Sequence, residues 1–272
     1  MLLLAFAIGG YFVVLFGAVI LQERFIYLNL RTKPQNPSDV GLAEVTAQTV
    51  SMQDGQRLQH WRAPAQEGMP TLIYFHGNKE TLAWRATRFR TILDAGYGLS
   101  TFAYRGYSGS TGRPQEQTIY SDALAIYDET KRITEGPLVI YGESLGTAVA
   151  TYVATKRSAV CVVLEAPFTS MVDMAARYLP IWPVSVYIRH RFPSFERIAS
   201  INKPLLILHG TRDRIVPIRY GRRLFDAAVE PKEMTVFDGA GHINLWKYKS
   251  FDAVTSFVKQ HMVRANEPKD VS

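Results

Sequence analysis

The chain has 272 residues, 47% hydrophobic and 20% charged. That suits one large α/β domain with a sizeable core, and excludes both two comfortable domains and a disordered chain. The net charge of +7 and the pI near 9.4 come from scattered Lys and Arg residues. With no basic run and no binding motif, nucleic acid is not expected as a partner; an anionic membrane surface fits better.

From Met1 to Leu21 there is no charged side chain. About 20 apolar residues suffice for a spanning helix, and a buried domain helix would normally show a polar face, which is absent here. A cleaved signal peptide would carry a basic start and a small-x-small cleavage site, and neither is seen around Gly17 and Ala18. The segment is therefore expected to be an uncleaved transmembrane anchor over residues 1–21. Arg24, Arg31 and Lys33 follow it and only the terminal amine precedes it, which favours a catalytic body on the cytoplasmic side.

Residues 22–44 read as a linker, turn-rich and polar from Lys33 to Asp39. Two alternating stretches follow, Val45 to Met52 and Arg57 to Trp61, joined at Asp54-Gly55 as in a β-hairpin. Short apolar runs then alternate with helical ones. The runs are Thr71 to Phe75, Leu99 to Tyr104, Pro137 to Tyr141, Val160 to Leu164, Pro204 to Leu208 and Glu233 to Phe237. Between them lie Leu82 to Leu93, Gln117 to Arg132, Leu145 to Lys156 and Tyr220 to Ala228. This rhythm predicts an α/β fold over residues 45–265, an approximately eight-stranded, mostly parallel sheet with helices on both faces. The lone cysteine, Cys161, rules out an intrachain disulfide and a cysteine-based metal site, and within Val160 to Leu164 it reads as a buried inert thiol.

Residues 168–200 exceed an ordinary crossover. Met171 to Tyr178 reads as a helix, Pro180 and Pro183 break the chain, and a second helix is expected over Val184 to Arg191. The segment reads as a short lid, with Trp182, Val184, Tyr187 and Ile188 lining an apolar pocket. A tail is expected over residues 266–272.

In a parallel sheet, ligands sit at the carboxyl ends of the strands. Pro137 to Tyr141 runs directly into Gly142-Glu143-Ser144-Leu145-Gly146 and then a helical stretch, the pattern of a nucleophile elbow. The pentapeptide pattern alone arises by chance in about one chain in ten of this length, so its weight comes from its placement between strand and helix. It puts the Ser144 hydroxyl above the sheet and the Leu145 N–H toward a developing oxyanion. A serine needs a base, and His242 in Gly239-Ala240-Gly241-His242 follows the last strand, completing the chain order Ser, acid, His. Asp213, after the strand Leu205 to Leu208, is the acid that would orient it, with Asp238 as the spare candidate and helical Asp226 a weaker one. Glu165 reads as structural. The second oxyanion donor is expected from the loop Phe75-His76-Gly77-Asn78, through the Asn78 N–H, with His76 a structural residue.

Together these segments resemble the Bem46-like branch of the α/β-hydrolases, the group of the ABHD13-type proteins. The likeness rests on F-H-G-N at 75–78, Y-R-G-Y-S-G-S-T-G-R-P at 104–114, G-E-S-L-G-T at 142–147, E-A-P-F-T-S at 165–170, L-H-G-T-R-D at 208–213 and G-A-G-H at 239–242. Lys79-Glu80-Thr81 departs from the A-G-N with which relatives often continue the first of these. The resemblance implies a membrane-anchored serine hydrolase with Ser144, Asp213 and His242 as its triad. Depalmitoylase activity in a related branch makes acyl thioesters candidates beside esters.

The expected reaction is acyl transfer to water through an acyl-enzyme, acting on a small or lipid-like acyl substrate and needing no cofactor or metal. A peptidase or amidase on the same fold, and a non-catalytic hydrolase-fold binding protein, are the alternatives. A nucleotide-binding Rossmann protein is disfavoured because no G-x-G-x-x-G follows an early strand.

Overall fold

The computed structural model describes residues 2–28, 32–79, 81–180 and 182–266. The two alternating stretches form the expected antiparallel hairpin, β1 (Thr46–Ser51) and β2 (Arg57–Ala63), turning through Gly55 at φ 80°. The apolar runs become β3 (Thr71–Phe75), β4 (Gly98–Phe102), β5 (Leu138–Glu143), β6 (Val162–Glu165), β7 (Leu205–Gly210) and β8 (Lys232–Phe237). They join one eight-stranded sheet in the order β1-β2-β4-β3-β5-β6-β7-β8, parallel from β4 through β8. Every residue of β3 to β7 is buried, which is why these strands read as unbroken apolar runs while the half-exposed β1 alternates.

The crossover from β3 to β4 runs one way along the sheet and those from β4 onward run the other. Right-handed crossovers then put α2 (Ala86–Asp94) on one face and α3 (Glu116–Ile133), α4 (Leu145–Ala154) and α8 (Ile218–Ala227) on the other. The direction of winding along the sheet therefore reverses between the parallel strands β3 and β5, and the loops leaving their carboxyl ends diverge to open a crevice. Cys161 is buried beneath this layer, and burial pushes its thiol up to about 12.

Two elements depart from expectation. The N-terminal helix α1 (Leu2–Ile26) continues five residues past Leu21, because Gln22, Glu23 and Arg24 favour helix and the turn they form is docked on the body. Its stretch Gly9–Ile26, mean hydropathy 1.4, is the one helix among the described residues long and apolar enough to cross a membrane. Met1, Arg31, Glu80 and residues 267–272 lie outside the described residues.

The second departure lies in the long segment between β6 and β7, which forms α5 (Met171–Tyr178), α6 (Val184–Tyr187) and α7 (Ser194–Ile198). The helix expected to reach Arg191 stops at Tyr187. Side chains from elsewhere take the backbone donors that would have continued it: Arg189 N–H donates to Gln22 Oε1 (2.9 Å) and Arg191 N–H to Glu116 Oε2 (2.6 Å). The last helix, α9 (Ser250–Asn266), closes the domain.

Two histidines are locked into the core uncharged. His60 bridges Gln48 and Ser100, and burial followed by the nearby Arg62 lowers it from 6.5 to about 4. His76, stacked on Tyr104, is lowered to about 3 by burial and then by Arg85. An unfolded chain protonates both below 6.5, whereas the native chain does not until near 4 and 3. Their stabilisation is thus present above pH 6.5 and lost as pH falls. Two such protons correspond to a limiting slope of about 2.7 kcal/mol per pH unit. Denaturant titrations in detergent should show the midpoint already falling between about pH 6.5 and 5, above the carboxylate range, with the slope reduced in His60→Gln.

Candidate active site

Ser144 sits between β5 and α4 at φ 51°, ψ −116°, a conformation most residues avoid. The glycines around it permit the turn. A Cβ on Gly146 would lie 1.9 Å from the Phe75 carbonyl oxygen, and one on Gly142 would lie 2.4 Å from the Gly146 carbonyl oxygen. The Ser144 N–H donates to the Glu165 carbonyl (2.9 Å), and Thr147 returns N–H and Oγ1 hydrogen bonds to the Ser144 carbonyl.

The serine hydroxyl meets His242 Nε2 at 2.8 Å, and His242 Nδ1 meets Asp213 Oδ2 at 2.7 Å. Asp213 comes from the turn after β7, and His242 from the loop after β8. These loops can touch because Gly210 has no side chain: a Cβ there would fall 2.3 Å from the Ala240 carbonyl oxygen. The other oxygen of Asp213 accepts the N–H groups of Ile215 (2.9 Å) and Val216 (2.8 Å). Burial works against ionising Asp213, but hydrogen bonds from His209 and His242, the charge of His242 and the Val216 N–H hold it down at about 2. In the neutral tautomer whose Nδ1–H donates to the Asp213 carboxylate, Nε2 is the acceptor facing the serine hydroxyl. Asp238, the spare acid, is instead taken by Thr211 Oγ1 (2.9 Å), and Asp226 is exposed on α8.

Gly77 and Asn78 follow β3 across the crevice. A Cβ on Gly77 would come within 3.4 Å of the Ser144 Cβ, so this loop lies directly against the elbow. Asn78 is held from three sides. Its side chain donates to the Ile26 carbonyl at the end of α1 (2.8 Å), and its own carbonyl accepts Leu28 N–H (3.2 Å) and Tyr107 Oη–H (2.9 Å). The 104–114 segment has this stapling role: Ser108 and Gly109 N–H groups bind Thr32, and Arg105 is fixed by Asp122 and Asp54. Leu145, as the first residue of α4, has an N–H that the helix leaves unused.

Ser144, His242, Asn78 and Leu145 border one cavity of about 870 Å³. Trp182, Val184, Tyr187 and Ile188 line it as expected, with Phe168, Met171 and Met174 beneath them. A side of the cavity that the sequence did not suggest is made by α1 itself.

A second group, of which the sequence indicated only Glu165 as structural, lies beneath the elbow. Glu143 is buried against Arg85 (Nε–Oε2 2.7 Å) and receives Tyr74 Oη–H. Arg88 reaches both Glu143 (3.3 Å) and Glu165 (3.0 Å) and donates to the Ile243 carbonyl beside His242 (3.2 Å). Glu165 also accepts Tyr141 Oη–H and Trp246 Nε1–H. Burial opposes charge on Glu143, yet Arg85 and Arg88 hold its carboxyl well below the usual range. The signal available was two arginines three apart, Arg85 in the turn that leads into α2 and Arg88 on α2, facing carboxylates at two strand ends. Arg88→Met leaves buried Glu165 without its cationic partner, while Glu143 keeps Arg85, and should cost about 3–5 kcal/mol, read as a lowered urea midpoint.

The chain is similar to several known proteins. A family model described as serine aminopeptidase, S33, matches residues 67–196. An uncharacterized protein of Mycobacterium tuberculosis is 37% identical over 226 residues, covering 81% of this chain and 80% of that one. The lysophosphatidylserine lipase ABHD12 of Danio rerio is 30% identical over 262 residues, covering 79% and 68%. Human alpha/beta hydrolase domain-containing protein 17B is 30% identical over 201 residues, covering 71% and 67%. Among solved structures, a Pyrococcus furiosus esterase superposes with a TM-score of 0.68 at 19% identity, covering 87% of this chain and 97% of its own. A monoacylglycerol lipase of Paleococcus ferrophilus gives 0.60 at 21%, covering 75% and 99%. This chain belongs to the ABHD-type branch of the α/β-hydrolases.

Proposed function

We propose that the protein is a membrane-anchored serine hydrolase that cleaves carboxylic esters or thioesters of lipid-like acyl groups. The observation that carries this reading is the continuous hydrogen-bonded series Asp213–His242–Ser144 opening into a large apolar cavity. Ser144 Oγ attacks the acyl carbonyl carbon while His242 Nε2 takes the hydroxyl proton. The N–H groups of Leu145 and Asn78 hold the oxyanion. Collapse expels the alkoxide or thiolate, which leaves with the proton from His242. Water then gives its proton to His242 and attacks the acyl-enzyme, and the proton returns to Ser144 as the acid departs. Asp213 stays ionised throughout, holding the tautomer and stabilising the imidazolium.

The segment 168–200 acts as the lid, its side chains forming the apolar roof of the cavity. The lipase relative from Danio rerio supports a lipid ester as substrate. An aminopeptidase would need an anionic group to receive the substrate ammonium. Among the described residues lining the cavity, Glu143 is the acid, and it is already paired with Arg85 and Arg88. α1 is read as a single-pass anchor, and the basic residues after it favour a cytoplasmic body.

A fluorophosphonate probe should label the wild type and not Ser144→Ala; a folded wild type that takes no label refutes the assignment. Asp213→Asn should lower kcat by about 10⁴, the scale seen when a triad histidine loses its tautomer. Asp238→Asn, which keeps an acceptor for Thr211 and removes only the charge, should stay within about twofold of wild type in the same ester assay.

A further inference from the structure

The cavity containing Ser144 is not enclosed by the hydrolase domain alone. Leu15, Ala18, Val19, Gln22, Phe25 and Ile26 of α1 line it. Their spacing follows one face of a helix. That face is tied to the body at several points. Gln22 bonds the chain at Tyr187 and Arg189, Tyr11 lies 5.2 Å from the Trp182 ring, and Tyr27 meets His190 edge-on at 5.3 Å. The opposite face, with Val14, Phe16, Ile20 and Leu21, is exposed and equally apolar.

Length decides what this means. α1 has 25 residues, or about 37 Å at 1.5 Å per residue. Residues 2–14, which precede the cavity face, span only about 20 Å, short of the roughly 30 Å hydrocarbon core. If α1 crosses a bilayer, part of its cavity-lining stretch lies at hydrocarbon depth, and the cavity rim is drawn into the leaflet with it. The rim is built for that: Trp84, Tyr178, Leu179, Ile215 and Ile243 all line the cavity and are exposed. A volume of about 870 Å³ is near the top of the range for small-molecule sites.

We propose that α1 is a wall of the substrate site as well as an anchor, and that the cavity takes a long single acyl chain directly from the bilayer along that wall. This rests on the hydrolase reading above. The side chains at 15, 18 and 19 then determine which acyl lengths fit.

The test uses the full-length protein in detergent micelles with p-nitrophenyl acetate, octanoate and palmitate. Wild type should favour the longer chains in kcat/KM. Val19→Trp, which fills the wall, should lower the palmitate-to-acetate ratio about tenfold, the scale on which an apolar pocket discriminates a methylene or two. Leu15→Ala, which opens the wall, should raise the ratio and provides a second reading should the tryptophan variant not fold. Ile20→Trp, on the outer face, should keep the wild-type profile. The proposal is overturned by a wild type preferring acetate, by unchanged profiles in both Val19→Trp and Leu15→Ala, or by an Ile20→Trp shift as large as that of Val19→Trp. Fluorophosphonate labelling of the wild type separates these outcomes from failure of the hydrolase reading, since an unlabelled wild type defeats that reading itself.

Discussion

Ser144 is held at a backbone geometry that costs on the order of 1–3 kcal/mol, and the surrounding fold gives it no other option. β3 must come close enough for its last carbonyl to lie against the start of α4, which only a hydrogen atom at position 146 allows. β6 supplies the carbonyl that takes the Ser144 N–H, and Thr147 closes the turn from the helix side. Three strands and one helix therefore converge on one residue. The direction of its hydroxyl, and with it the meaning of every other group at the crevice, follows from that convergence.

The surroundings of the serine divide into two kinds of matter. Above it the cavity is apolar, with few groups able to compete for a substrate carbonyl. Below it a dense polar floor of Glu143, Glu165, Arg85, Arg88, Tyr74, Tyr141 and Trp246 binds strand ends to the loop carrying His242. Buried ion pairs of this sort add little net stability over a well-packed apolar floor. Their value is geometric: Arg88 contacts the residue before the serine and the residue after the histidine, so the two cannot drift apart independently.

Much of this could be read from local sequence, because the features concerned are local. The strand runs, the hairpin at Asp54-Gly55 and the glycine spacing around Ser144 each depend on a few adjacent residues. Asp213 and Asp238 both follow strand ends, and what separates them is that His242 bonds Asp213 while Asp238 is taken by Thr211. What stayed hidden was non-local. Nothing near Gln22 in sequence announces Arg189 as its partner, and nothing near Arg191 announces Glu116, yet those two contacts end α6 early. The apolar stretch of α1 reads identically whether it faces lipid or a substrate cavity. The role of 104–114 was visible only as a resemblance until its contacts to Thr32 and Asn78 gave it a physical reason.

Asn78 belongs to two structures at once. Its carboxamide grips the last carbonyl of α1, while its backbone lies beside the serine in the loop expected to hold the oxyanion. A helix in a bilayer tilts to match the local hydrocarbon thickness, at a cost of fractions of a kcal/mol per Å of mismatch. For an α1 that spans the membrane, such a tilt pulls on the oxyanion loop through a hydrogen bond 2.8 Å long. In that case membrane thickness would become a mechanical load on the loop beside Ser144, transmitted through one amide side chain.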